Sequence, residues 1–210
     1  MNRYEKAHGQ LFPHMSVGVM GSAGGKMEPK VLEKLWELGE EIARRGHILI
    51  TGACPGLPHE AAMGAKAKGG FVIGISPGLN LRQHVEEYLS PTRGYDAIIY
   101  TGSGLMGREI ENIRSCDVVI LAGGRSGTLG EFAIAYDEGK VIGVLLGTGG
   151  ITEHLRDIIG MVKKETRAEV VYSPDPADLM DKLEKIYWQK LHPQYTTLME
   201  SHNPDGVVEA

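Results

Sequence analysis

Seven short runs of uninterrupted apolar residues constrain this chain more than any other feature. They are 16-SVGVMGS-22, 47-HILITGA-53, 71-FVIGIS-76, 97-AIIYT-101, 117-DVVILA-122, 141-VIGVLL-146 and 169-EVVYS-173. They are rich in Val and Ile and do not alternate with polar residues. Strands of that kind are covered on both faces, as in a parallel sheet. Longer amphipathic segments separate them. The clearest is 29-PKVLEKLWELGEEIARRG-46, which sets Leu32, Leu35, Leu38 and Ile42 on one face, with Pro29 near its start and Gly46 past its end. Further helices are expected near 59–68, 108–115, 128–138, 152–165 and 176–190. The alternation predicts an α/β fold: a doubly wound, mainly parallel sheet of about seven strands, with helices on both faces and right-handed crossovers.

The expected organisation is an N-terminal extension over 1–15, a single α/β domain over 16–191 and an irregular tail over 192–210, where 192-HPQYTTLMESHNPDGVVEA-210 lacks periodicity. At 210 residues, one large domain with a substantial core is the better prior. The first fourteen residues contain no apolar core of signal-peptide type, and no run approaches the ~18 residues that span a bilayer. A net charge of −5 argues against a general nucleic-acid or membrane-surface binder but leaves room for a small anion in a local pocket. Two cysteines, Cys54 and Cys116, make neither a disulfide framework nor a metal cluster. Cys116 precedes an apolar strand and is expected to be buried; a reducing cytoplasm is the simplest setting.

Glycine is the unusual residue: 29 of them, about twice the ordinary ~7% share. They gather where the strands end, in GSAGG (21–25), TGACPGL (51–57), SPGLN (76–80), TGSGLMGR (101–108), GGRSGT (123–128) and GTGG (147–150). In open α/β sheets ligands bind beyond the carboxyl ends of the strands. Any one loop reads as a strand terminator; the set reads as a rim for an extended ligand, with Gly21, Ser22, Gly52 and Gly104 as candidate contacts.

The loop 123-GGRSGTLGE-131 carries the most chemistry. A strand ends, a glycine turn follows and a helix begins near Ser126 or Thr128. Unpaired N–H groups at a helix start attract phosphate, glycines let it approach, and two hydroxyls can donate. Gly123, Gly124, Arg125, Ser126, Gly127 and Thr128 are the candidate phosphate ligands. No Gly-Lys-Ser/Thr follows, so this is not a Walker A loop. Glu131 has two readings. Thr128-x-x-Glu131 fits a capping box, and a carboxylate aimed into the cradle fits catalysis. Arg108, in 104-GLMGREIENIRSCD-117, likewise reads as a phosphate fork or as a surface partner of Glu111 or Asn112. His59-Glu60 lacks the second histidine of a zinc motif, and no metal site is expected. His84, His154 and His192 read as solvated or capping residues.

Together, Arg108, the strand from Asp117 and the in-register Gly127-Thr128-x-x-Glu131 resemble the Lonely Guy (LOG) family, often labelled lysine-decarboxylase-like, among Rossmann-type nucleotide-binding proteins. That family carries Arg-Lys, an apolar strand and P-G-G-x-G-T-x-x-E, and 51-TGACPGLPHEAAMGAKAKGGFVIGISP-77 also resembles its glycine loop, helix and strand. The similarity covers roughly 16–150. It implies cleavage of the N-glycosidic bond of nucleoside 5′-monophosphates, giving free base and ribose 5-phosphate. Arg108 and Glu131 would be the catalytic pair, with no cofactor required and a homodimer as the working form. Two positions depart: Arg125 stands where the family has its second glycine, and Glu109 where it has lysine. A related branch carries molybdenum cofactor, so a non-catalytic carrier of a bound nucleotide or molybdopterin is the alternative.

Overall fold

The computed structural model describes residues 14–201. Seven parallel strands form one sheet in the order β4-β3-β2-β1-β5-β6-β7: β1 (Ser16–Gly21), β2 (Ile48–Thr51), β3 (Phe71–Ser76), β4 (Ala97–Tyr100), β5 (Val118–Ala122), β6 (Val141–Leu145) and β7 (Glu169–Ser173). The chain starts at the centre, winds outward through β2, β3 and β4, then returns to the other side of β1. The order therefore reverses between β1 and β5, and a crevice opens there between loops that leave in opposite directions. Register across this junction pairs Gly21 with Ala122, so both strands end at the same level.

Helices cover both faces, as the continuous apolar runs require. Helices α1 (Pro29–Arg44), α2 (Leu57–Ala67) and α7 (Pro176–Ile186) close one face over Val17, Val19, Leu49, Val118 and Ile120. On the other, α4 (Gly104–Arg114), α5 (Ser126–Asp137) and α6 (Leu155–Val162) cover Met20, Val119, Leu121, Ile142 and Val144. Alternate residues of one strand thus feed two separate cores. Helices α1 and α2 touch backbone to backbone: a Cβ at Gly39 would lie 1.9 Å from the Ala61 carbonyl oxygen, and one at Gly64 2.1 Å from that of Trp36. Only glycine at these reciprocal positions permits the approach.

Three expectations change. The segment 81–86 forms a short helix, α3 (Leu81–Glu86), capped by the Asn80 side chain on the Gln83 N–H. On it His84, expected to be solvated or capping, is buried, with Nδ1 2.9 Å from Ser76 Oγ and Nε2 3.0 Å from the Pro91 carbonyl. The supposed irregular tail continues from α7 through a π-helical turn (Tyr187–Leu191) into helix α8 (His192–Ser201). It is held by a buried Tyr187 and by Tyr195, whose hydroxyl donates to Asp117 at 2.8 Å. That anchoring is tertiary, so periodicity does not reveal it. The extension over 1–13 and the end of the tail over 202–210 lie outside the described residues. Among the described residues no helix is long and apolar enough to cross a membrane.

Candidate functional site

A cleft of about 370 Å³ opens at the β1/β5 junction. Gly21 allows it to form: a Cβ there would meet the Ala122 carbonyl oxygen at 2.1 Å. Ser22 then ties three loops together. Its N–H donates to Ala122 O (3.3 Å), its carbonyl accepts from Leu57 N (2.9 Å), and its hydroxyl accepts from the Gly124 N–H (2.7 Å). The Ser22 hydroxyl keeps its own proton to donate.

Gly123 and Gly124 both have positive φ, +62° and +89°. Their amides are already engaged: Gly123 N–H donates to Thr148 Oγ1 at 2.8 Å, and Gly124 N–H to Ser22. Their carbonyls accept from Thr152 and Ile151. These two glycines shape the loop, and the free donors begin one step later. Helix α5 has Arg125 at its N-cap, with no side-chain capping bond, and the Leu129 N–H donates to Arg125 O at 3.0 Å. The N–H groups of Ser126, Gly127 and Thr128 precede that ladder, and all three residues line the cleft. Arg125 is exposed and also lines the cleft.

The capping-box reading of Glu131 is not realised. Thr128 sits inside the first turn of α5 and is not its cap, so Glu131 is out of register with the helix start. Glu131 is 7% exposed, lines the cleft, and its carboxyl bonds to Thr128. Burial pushes its pKa up to about 7; Arg108 and the Thr128 bond hold the rise back, and nearby Glu109 adds to it.

Arg108 is no surface arginine. It is 6% exposed, lines the same cleft, and its Nε has no hydrogen-bond partner among the described residues. Gly52 provides its slot: a Cβ at Gly52 would lie 1.9 Å from Arg108 Nη1. Gly52 therefore serves the site by making room for the guanidinium. Gly104, with φ +70°, turns the chain into α4, and the cleft wall there is made by Leu105.

Seven lining residues were absent from the expected set, and two of them, Cys54 and Glu109, carry titratable groups. Cys54 adjoins Arg108 and Glu131, and burial raises its thiol to about 11, so it stays neutral at physiological pH. Glu109 is 9% exposed and has a raised pKa, again through burial, with Arg108 opposing. Its carboxylate packs against α5: one oxygen would lie 3.5 Å from a Cβ at Gly127 and the other 3.6 Å from one at Gly130, which is ordinary contact. The cleft floor thus places one guanidinium beside two carboxyl groups, under a helix start that offers N–H donors.

Comparison with known proteins agrees with this architecture. A protein of uncharacterized function from Archaeoglobus fulgidus is 34% identical over 131 residues, covering 62% of this chain and 80% of that one. The X-ray structure of TM1055 superposes with a TM-score of 0.72 at 25% identity, over 82% of this chain and 99% of that one. The molybdenum cofactor binding protein of Rippkaea orientalis gives 0.69 at 29%, over 84% and 99%. The Moco carrier protein of Chlamydomonas reinhardtii gives 0.68 at 29%, again over 84% and 99%. The SLOG cluster4 family profile matches residues 14–180, which include the whole cleft, and the chain belongs to that LOG-like family.

Proposed function

We propose that this protein binds a nucleoside 5′-monophosphate in the β1/β5 cleft and hydrolyses its N-glycosidic bond. The observation that carries the proposal is that Arg108 and Glu131, on different helices, are both nearly buried and line one cleft with the open start of α5. The 5′-phosphate would lie on the N–H groups of Ser126, Gly127 and Thr128, with Arg125 and the Ser22 hydroxyl as further donors. The sugar would then face Glu131. As the C1′–N bond breaks, its electron pair leaves with the base and C1′ gains positive charge. An ionised Glu131 stabilises that charge and takes a proton from the attacking water, whose oxygen bonds to C1′. Arg108 orients the substrate and favours departure of the base, which takes up a proton from solvent to become the free base, while Glu131 gives the proton it accepted back to solvent.

The relatives that carry molybdenum cofactor favour a second reading, in which the same donors hold the phosphate of a molybdopterin and no bond is cut. The unpartnered Arg108 Nε and the free amides fit that phosphate. Among the described residues no group of three or more His, Cys, Asp or Glu converges to ligate a metal. Such a cofactor would bring its metal as cargo.

The reading also includes a homodimer. Leu81, Val85, Ile99, Leu105, Met106 and Ile110 are exposed on α3, α4 and the edge strand β4, and Leu105 also lines the cleft. A second copy on this face would narrow the cleft mouth; light scattering after size exclusion should give twice the chain mass. For the activity, purified protein is incubated with AMP and other 5′-monophosphates and free base is measured by chromatography. Release of base supports hydrolysis. Tight binding without release from any of them overturns it and favours the carrier, which pterin fluorescence of protein purified from a cofactor-producing host would support.

A further inference from the structure

We infer that Glu109 grips the sugar hydroxyls of the ligand and selects ribose over 2-deoxyribose; the inference rests on the phosphate site proposed above. Glu109 lines the cleft, is nine-tenths buried, and has no hydrogen-bond partner among the described residues. A carboxylate that lines a cleft without a protein donor is left to accept from water or from donor atoms of a ligand. Its position indicates which ligand atoms those are. One carboxylate oxygen lies 3.5 Å from where a Cβ at Gly127 would sit, and the other 3.6 Å from that at Gly130. The carboxylate therefore lies against the first two turns of α5, the helix whose opening amides are assigned to the phosphate.

An ionised carboxylate only accepts hydrogen bonds, so the ligand group beside it must donate. A 5′-phosphomonoester is mostly the dianion at neutral pH and repels a carboxylate more than it donates to it. The next group along a 5′-nucleotide is the sugar, whose 2′- and 3′-hydroxyls are adjacent donors matched to the two oxygens of one carboxylate. Acidic residues hold ribose hydroxyls in this way in dinucleotide sites. The base lies farther from the phosphate and is left to the cleft mouth near Leu105. Lysine, at the place this chain fills with Glu109, would favour the phosphate and could not accept from a diol. The substitution thus trades charge attraction for sugar recognition, and Arg125 at the cleft edge returns a positive charge to the phosphate side.

Calorimetric titration with inorganic phosphate, ribose 5-phosphate and 2-deoxyribose 5-phosphate tests this. A site built around a hydroxyl rejects the analogue lacking it, so ribose 5-phosphate should bind at least tenfold more tightly than its deoxy form. In Glu109→Gln, which keeps shape but loses one acceptor, the ratio should fall to within about threefold, with affinity for inorganic phosphate unchanged or improved. Equal binding of the two sugars by the natural protein overturns the role of Glu109 alone. So does a ratio that survives in the folded variant. Failure of all three compounds to bind overturns the phosphate site, and the assignment of Glu109 with it.

Discussion

Replacing Glu131 with Gln should abolish turnover and make the protein more stable, by a margin that grows as pH rises from about 4.5 to about 7 and is constant above it. In the folded chain burial raises this carboxyl from 4.5 to about 7. The sign follows from proton binding. Between those two values the folded state keeps the proton longer than the unfolded chain does, so stability falls as pH rises, and the loss is complete above the folded value. A rise of that size is worth about 3 kcal/mol, at 1.36 kcal/mol for each tenfold. Gln cannot ionise, and its side-chain oxygen still accepts from Thr128. The variant should therefore match the natural protein near pH 4.5 and exceed it by about 3 kcal/mol at pH 8.5. For a chain of this length that is roughly 6–12 °C in melting temperature. Urea unfolding at the two pH values, read by circular dichroism, measures the difference directly. A Gln variant less stable than the natural protein at pH 8.5, or a gain independent of pH, would refute the reasoning that Glu131 is a desolvated acid retained at a cost to the fold.

The same carboxyl fixes the expected pH profile: if the ionised form acts, kcat/KM for AMP should climb about tenfold per pH unit below about 7 and level off above it. Gly52→Ala puts a methyl group into the Arg108 slot, where the obstructing atom is the end of a flexible side chain. The fold should survive with a melting temperature within a few degrees, while kcat/KM drops at least tenfold, as steady-state assays would show. Gly64→Ala has the opposite signature, since its Cβ meets the Trp36 backbone carbonyl at 2.1 Å. Crowding should exceed the ~1 kcal/mol gained in helix propensity and lower unfolding free energy by about 2 kcal/mol in urea melts, with kcat/KM unchanged.

The sheet was legible because each strand is a continuous apolar run, and burial on both faces requires that composition. Helix α1 was legible from its stripe and its Pro and Gly ends. Helix α8 was not, because it is held by Tyr187 and Tyr195 against the far end of the sheet, and two aromatic anchors leave no periodic trace. At the site, the resemblance to the LOG family implied the pair Arg108 and Glu131, yet sequence could not tell a capping box from a cleft carboxylate. That distinction depends on where α5 starts, and the register of one turn decides it. Glycines were the least transparent residues. Gly123 and Gly124 looked like phosphate donors, but their N–H groups close the loop onto Thr148 and Ser22. Gly52 acts through the space it leaves for Arg108, which shows only once the partner helix is packed.

The central claim is that the open amides at the start of α5 receive the ligand's phosphate. Amide proton–nitrogen correlation spectra recorded during titration with AMP test it residue by residue. Ser126, Gly127 and Thr128 should shift downfield along one saturable curve, and inorganic phosphate should move the same three peaks. Peaks that stay fixed at these residues while AMP binds elsewhere, for instance along Gly147–Gly150, would contradict the account.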